Sequence, residues 1–459
     1  MKKIALGTSI LLMALALASC YWRPDLSSGG LSLDVSGVTS KAAGEVVRVY
    51  LIADGLLFST GGGVPFTAEI SGENEVDKII SIEGLPVGPT YRAMVGWGPV
   101  SGGVFKPRFY GESPLFTIAP NAKTAVTVNT DWIPYYADIS FSSALLGREL
   151  VGIVESDYGD MYAAEAGRLH WLVYSSPDSW NLYDSYDLAY QVNSLSRSSA
   201  IASFVGTYLN TNGGIFPFYN SDGWAVDTSF SASLVGSRDI QGSASFVMQP
   251  AGVDYAVFFW RDNGLGGSYV LSTVLNPTLW SWANIDLAGV SDMAVSQYNA
   301  YFAADGTAFA LPPTFLQDTT PTLAEHRVDL PAPAPTKSLG FRPIIAAAGG
   351  TLTLGTTDGV WQAGVTESVS SPFVTVLSGP TQVSGTEGDS IERIAINTYN
   401  SSQEAYLSRY YLYLWNSGLY KIPFFAVAPG RVTGMAWDSN GTLYLSGTEG
   451  LSAVYVGFC

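Results

Sequence analysis

The sequence predicts an all-β protein made of a small β-sandwich followed by a β-propeller. Three observations carry that prediction. Aromatic residues make up 13% of the 459 residues, beside 49 Gly and only 13% charged side chains, a mixture that favours strands and tight turns over helices. The stretch Gly350-Thr-Leu-Thr-Leu-Gly-Thr-Thr-Asp-Gly359 returns as Gly441-Thr-Leu-Tyr-Leu-Ser-Gly-Thr-Glu-Gly450, 91 residues later. Each copy alternates as a strand does and then turns at an acidic residue followed by Gly. Two units in the mid-forties fill that spacing, and that is the length of a propeller blade. Finally, a chain of this length with 47% hydrophobic residues exceeds one ordinary core, so two domains are expected.

In chain order, Lys2 and Lys3 precede an apolar run from Ile4 to Ala18, the pattern of an export signal and too short for a spanning helix. The run ends in Leu17-Ala18-Ser19-Cys20, which resembles the lipobox of bacterial lipoproteins. The resemblance implies removal of residues 1–19 as a lipoprotein signal peptide, diacylglycerol on Cys20 and acylation of the new amino terminus. Two or more acyl chains anchor stably where one is marginal. Tyr21, rather than Asp, follows the cysteine and favours the outer membrane in a cell that has one. Residues 20–30 then read as a lipidated tether, and ten extended residues reach about 33 Å.

Residues 31–130 read as the sandwich. Strands are expected at Leu31–Val35, Val46–Ala53, Phe66–Ile70, Lys78–Ile82 and Thr124–Asn129. Between them lies Leu85-Pro-Val-Gly-Pro-Thr-Tyr-Arg-Ala-Met-Val95, which resembles the Leu-Pro-x-Gly-x-Tyr phrase of transthyretin-like and related Ig-like sandwich modules, with one extra residue before Tyr91. Pro86 and Gly88 suit a turn with one fixed and one positive φ.

Residues 131–459 read as the propeller. Degenerate copies of the blade phrase place turn glycines at Gly167, Gly223, Gly264, Gly306, Gly359, Gly418 and Gly450. Seven phrases favour seven blades, with six or eight as alternatives. The last phrase leaves too little chain for a whole blade, and Tyr136–Phe141 is expected to supply the missing strand. Closure matters because it removes open sheet edges. Two stretches stand outside the repeat: the Pro-rich excursion Leu311–Pro335 and the polar segment Asn397–Glu404. Both read as surface inserts.

The chemistry is sparse. A net charge of −17 repels phosphate backbones, so nucleic-acid binding is not expected. With His170, His326, Cys20 and Cys459 as the whole complement of His and Cys, no structural zinc site or disulfide framework can be built, and Cys459 reads as an inert thiol. No cofactor, metal or catalytic residue is assigned. A Ser–His–acid triad would need one of the two histidines, and no Gly-x-Ser-x-Gly elbow occurs. Trp437-Asp-Ser-Asn-Gly-Thr-Leu-Tyr444 and Asn220-Ser-Asp-Gly-Trp224 faintly resemble the Asp-box of sialidases, and Asp438, Asn440, Asp262 and Asn263 could offer oxygens to calcium, but hairpin turns explain both. The aromatic groups Trp180–Tyr183, Trp280–Trp282 and Tyr406 with Arg409–Tyr411 read first as blade cores and second as a stacking surface. The expected role is that of a lipid-anchored envelope protein, not an enzyme, binding protein or glycan through the propeller face and its inserts. The alternative is a carbohydrate-active hydrolase or lyase with axial carboxylates. An outer-membrane barrel is disfavoured by the lipobox and the blade-length repeat.

Overall fold

The computed structural model describes residues 28–36, 45–58, 67–71, 79–101, 104–132, 135–138, 143–156, 159–176, 179–197, 207–219, 225–226, 239–248, 253–261, 267–274, 282–296, 298–311, 327–343, 349–368, 374–397, 400, 402–416, 418–424 and 430–456. Leu17–Cys20, His326, Gly223, Gly264, the paired Asp262 and Asn263, and Cys459 lie outside them. The chain divides into two compact units, Met1–Pro134 and Tyr135–Cys459.

In the first unit a three-stranded sheet holds Lys123–Asn129, Ser28–Ser36 and Ile79–Pro86 in that order, with the first pair parallel. An eight-stranded sheet is built around Glu45–Ala53 and Thr90–Ser101. Alternate residues of both sheets meet in one core: Leu31 and Leu33 with Ile80 from one, Val47, Val49 and Val95 from the other. The turn foreseen at residues 85–95 is present. Gly88 has φ of 119°, and the buried Tyr91 donates its hydroxyl to the Pro86 carbonyl at 2.9 Å. Burial, and secondarily the charge of Asp54, pushes the Tyr91 hydroxyl up to about 12.

The second unit is a β-propeller. Among the described residues it contains seven antiparallel sheets, each of four strands apart from one that carries a fifth. Six sheets are continuous in sequence. The seventh joins Val432–Trp437, Leu443–Gly447 and Gly450–Val456 to Tyr135–Asp138, the first strand of the unit, with Tyr135 opposite Val456 and Asp138 opposite Ala453. The expected closing strand therefore closes the ring. Taken in order, these sheets are blades one to seven.

Each blade begins at the axis. The inner strands are Gly152–Glu155, Val192–Arg197, Asp239–Met248, Val290–Val295, Thr336–Pro343, Ile391–Ile396 and Val432–Trp437. Each lies against the next, and the seventh against the first. Second strands such as Thr207–Thr211, Ala300–Ala304 and Gln403–Ser408 are buried along their whole length, whereas several inner strands stay half-accessible. The ring therefore surrounds a solvent-reached axis between dry blade cores.

The repeated phrase is the hairpin between second and third strands. Gly359 and Gly450 open third strands with φ of 87° and 125°, where a side chain is strained. Gly167 and Gly306 occupy equivalent hairpins. Gly418 does not: it lies in the next hairpin, between Tyr411–Asn416 and Leu419–Pro423, and blade six turns instead at Arg409-Tyr410. The segment Asn397–Glu404 also differs from expectation. Gln403 and Glu404 belong to a second strand and are buried, and Asn397 binds Gln403 through both backbone and side chain. Its polar composition marks a tight inner hairpin rather than an insert. Of the Pro-rich excursion, Leu311 and Val328–Leu330 are strand residues of blade four, and residues 312–326 lie outside the described set.

Candidate binding face at the propeller axis

Inner strands of blades two to seven share a local fault. Each shifts register by one residue after its first or, in blade three, its second residue, which bulges Asn193, Gln241, Ser291, Lys337, Glu392 and Thr433. A bulge leaves its extra residue outside the ladder and re-aims it. Several of these side chains bridge to a neighbouring blade. Asn193 Nδ2 donates to Asp239 Oδ1 at 2.7 Å and to the Ile240 carbonyl at 2.8 Å. Ser291 Oγ donates to the Lys337 carbonyl, Lys337 Nζ to Ser390 Oγ, and Thr433 Oγ1 to the Leu150 carbonyl across the ring closure. The starting ends of the inner strands thus form a polar mouth.

Charge concentrates on one side of this mouth. Asp292, beside the Ser291 bulge, accepts the Met293 amide on one carboxylate oxygen and the Leu339 amide, at 2.9 Å, on the other. Protein atoms enclose it on nearly every side, yet part of its surface remains accessible, as on the wall of a narrow channel. Desolvation pushes its carboxyl up to about 6, against the two amides and the Arg393 charge, which lower it. Arg393, next to the Glu392 bulge, is lowered mainly by desolvation, is stabilised by Asp292 and Glu392, and is opposed by the like charge of Arg431.

Beside these residues, between blades six and seven, opens a groove of about 480 Å³. Leu407, Leu412, Phe424 and Val432 line its interior, and Glu392, Arg409 and Arg431 are exposed at its rim. Arg409 lies over the Tyr410 ring at 5.5 Å. Among the described residues neither Arg409 nor Arg431 has a carboxylate within salt-bridge distance, although the chain carries 39 acidic residues against 22 basic ones.

At the opposite ends of the inner strands the carboxylates are structural. Glu155 joins blades one, two and seven through Arg197 at 3.0 Å and the Ser439 amide at 3.2 Å. Glu367 accepts Asn299, Tyr301 and Ser296 from blade four. Glu404 accepts Tyr406 and Thr353 and faces Arg342 at 3.1 Å. Asp438 accepts the amides of Asn440 and Thr442 and the hydroxyl of Tyr444. The stretch 437–444 is therefore an Asx-type hairpin turn. Among the described residues no three His, Cys, Asp or Glu gather as a metal site.

His170 shows what sequence order alone concealed. It lies on the third strand of blade one with its ring 1% exposed; Nδ1 is 2.9 Å from Ser185 Oγ, and Nε2 is 2.8 Å from Glu165 Oε1. The order is that of a triad, but the same Glu165 oxygen also binds Arg148 at 2.7 Å. Burial lowers the His170 pKa, against the pull of Glu165, and so favours the neutral ring. Of the aromatic groups, Trp180, Tyr406 and Tyr411 fill blade cores, as first expected. Tyr183 is exposed and covers Trp171 at 4.4 Å between ring centres; the side chains at Trp280–Trp282 lie outside the described set. The groove escaped the sequence because its lining comes from separated strands, with no motif to mark it.

No family model matches the chain. No curated protein matches it either. Among solved structures, a streptogramin B lyase aligns at 12% identity and a TM-score of 0.47, over 70% of this chain and 97% of that one. PorZ, a bacterial surface component of the type-IX secretion system of Porphyromonas gingivalis, aligns at 15% identity and 0.43, over 68% of this chain but 38% of its own. The WD40 β-propeller domain of Doa1 aligns at 13% and 0.40, over 67% and 93%.

Proposed function

We propose that this chain is a binding protein of the cell envelope, held to the membrane by acyl groups on Cys20, that takes a glycan or protein ligand on the propeller face where the inner strands begin. In this reading residues 1–19 are removed, 20–30 tether the chain, 31–130 form a β-sandwich module and 131–459 form the propeller. The observation that carries the binding role is the groove between blades six and seven, an apolar hollow with Glu392 and two exposed guanidiniums at its rim, neither guanidinium in a salt bridge with the described chain. Pockets of this size with a few convergent polar groups are the usual form of ligand sites. The hydrolytic alternative would draw on Asp292, whose two oxygens each accept one main-chain amide that fixes the carboxylate on the wall.

Two measurements test the reading. Cys20→Ala is expected to move the chain from the membrane to the soluble fraction, and the intact mass of the wild-type mature chain to include acyl groups. A mature chain without them removes the anchor. The immobilised mature chain is expected to retain an envelope component whose capture is abolished by periodate if it is a glycan or by protease if it is a protein. No retention from either source removes the binding role.

A further inference from the structure

The groove's chemistry narrows the ligand, on the proposed reading that this face binds one. Arg409 comes from the hairpin between the second and third strands of blade six, and Arg431 from the start of the inner strand of blade seven; both are exposed at the rim of one 480 Å³ hollow. Neither makes a salt bridge with a carboxylate of the described chain, and Arg431 adds an unfavourable like charge to Arg393 nearby. Cations gathered in this way are relieved by an anion, and guanidinium forks match a planar carboxylate. Three further features restrict what carries it. The lining of Leu407, Leu412, Phe424 and Val432 suits a compact body with an apolar face. Glu392 at the same rim accepts hydroxyl donors and repels a second negative charge. The net charge of −17 disfavours polyanionic partners at long range.

We infer that the groove between blades six and seven binds a singly charged, hydroxyl-rich carboxylate, the chemistry of a uronic acid residue in an envelope glycan. The carboxylate lies between Arg409 and Arg431, the C–H face of the ring lies against the apolar lining, and hydroxyls donate to Glu392. An acidic peptide offers the same carboxylate but lacks the hydroxyls and brings the repeated charge that this face repels.

The test is calorimetric titration of the mature full-length chain with methyl glucuronide and methyl glucoside, which differ at the carboxylate, and with inorganic phosphate and a triglutamate peptide. Methyl glucuronide is expected to bind and the glucoside not to. The paired substitutions Arg409→Gln and Arg431→Gln, both on exposed side chains, are expected to weaken binding about tenfold or more, the cost of losing charged hydrogen bonds. Arg409→Lys with Arg431→Lys keeps the charge without the fork and is expected to give an intermediate loss. The inference is overturned if methyl glucuronide does not bind, if the Gln pair binds it unchanged, or if the glucoside, phosphate or triglutamate binds more tightly. Retention of an envelope component that is indifferent to the Gln pair removes this groove assignment while the binding role stands. Wild-type chain that retains nothing removes both.

Discussion

Glu404 offers the most direct test of how the propeller is held together. Its side chain is fully buried at the junction of blades five and six. One oxygen accepts Tyr406 at 2.7 Å and Thr353 at 3.1 Å; the other faces Arg342, whose side chain is 24% exposed. Glu404→Ala strips these partners at once. Breaking a buried ion pair costs about 3–5 kcal/mol, and stranding a buried hydroxyl such as that of Tyr406 costs about 1–3 kcal/mol. Water reaching Arg342 reduces the first figure, so a total of about 3–4 kcal/mol is expected. For a unit of this size that lowers the melting temperature by roughly 4–6 °C, with a matching fall in the urea midpoint at unchanged slope. Glu404→Gln keeps the volume and an acceptor for Tyr406 and is expected to lose about half as much. A double-mutant cycle with Arg342→Met isolates the pair. If Glu404→Ala melts within about 1 °C of wild type, or the cycle shows no coupling, this account of the network is wrong. Residues 397–404 would then behave as the loose insert that their composition suggests.

Two further outcomes follow from particular side chains. Gly450→Val and Gly359→Val are each expected to cost about 2 kcal/mol or more by thermal melting. Besides the positive φ, a Cβ would come within 2.8 Å of the Leu145 carbonyl at Gly450 and 2.7 Å of the Thr386 carbonyl at Gly359. Wild-type melting of both would refute the strain argument. His170 makes stability depend on pH. Its folded pKa lies below the ordinary value because of burial, so the unfolded chain binds the proton more readily, and the contribution is complete above about pH 6.5 and lost as pH falls below it. Glu165, which burial raises but its bonds to Arg148 and His170 lower on balance, adds a loss only at more acid pH. His170→Gln is expected to flatten the melting temperature between pH 7 and 5.5. Equal slopes for the two proteins would remove His170 as the cause.

Period and turn chemistry made much of the architecture legible in the sequence. Alternation marked the strands, and acidic residues before Gly359 and Gly450 marked hairpins whose φ only glycine adopts at little cost. The incomplete last phrase pointed to Tyr136 and its neighbours as the closing strand, because a propeller with an open edge would pair with other chains. The stretch Leu17-Ala18-Ser19-Cys20 resembles a lipobox, and that resemblance is local and read without any tertiary contact. Other features depend on where distant strands meet. Asn397–Glu404 looks like an insert because polar residues usually face water, yet Glu404 is buried by partners 42 to 62 residues earlier, at Gln362, Thr353 and Arg342. Ser185, His170 and Glu165 come together because register places three neighbouring strands side by side, which no local spacing encodes. Arg409 and Arg431 carry no motif at all. They share one groove because adjacent blades bring the hairpin of one beside the first residues of the next, and only the closed ring sets that distance.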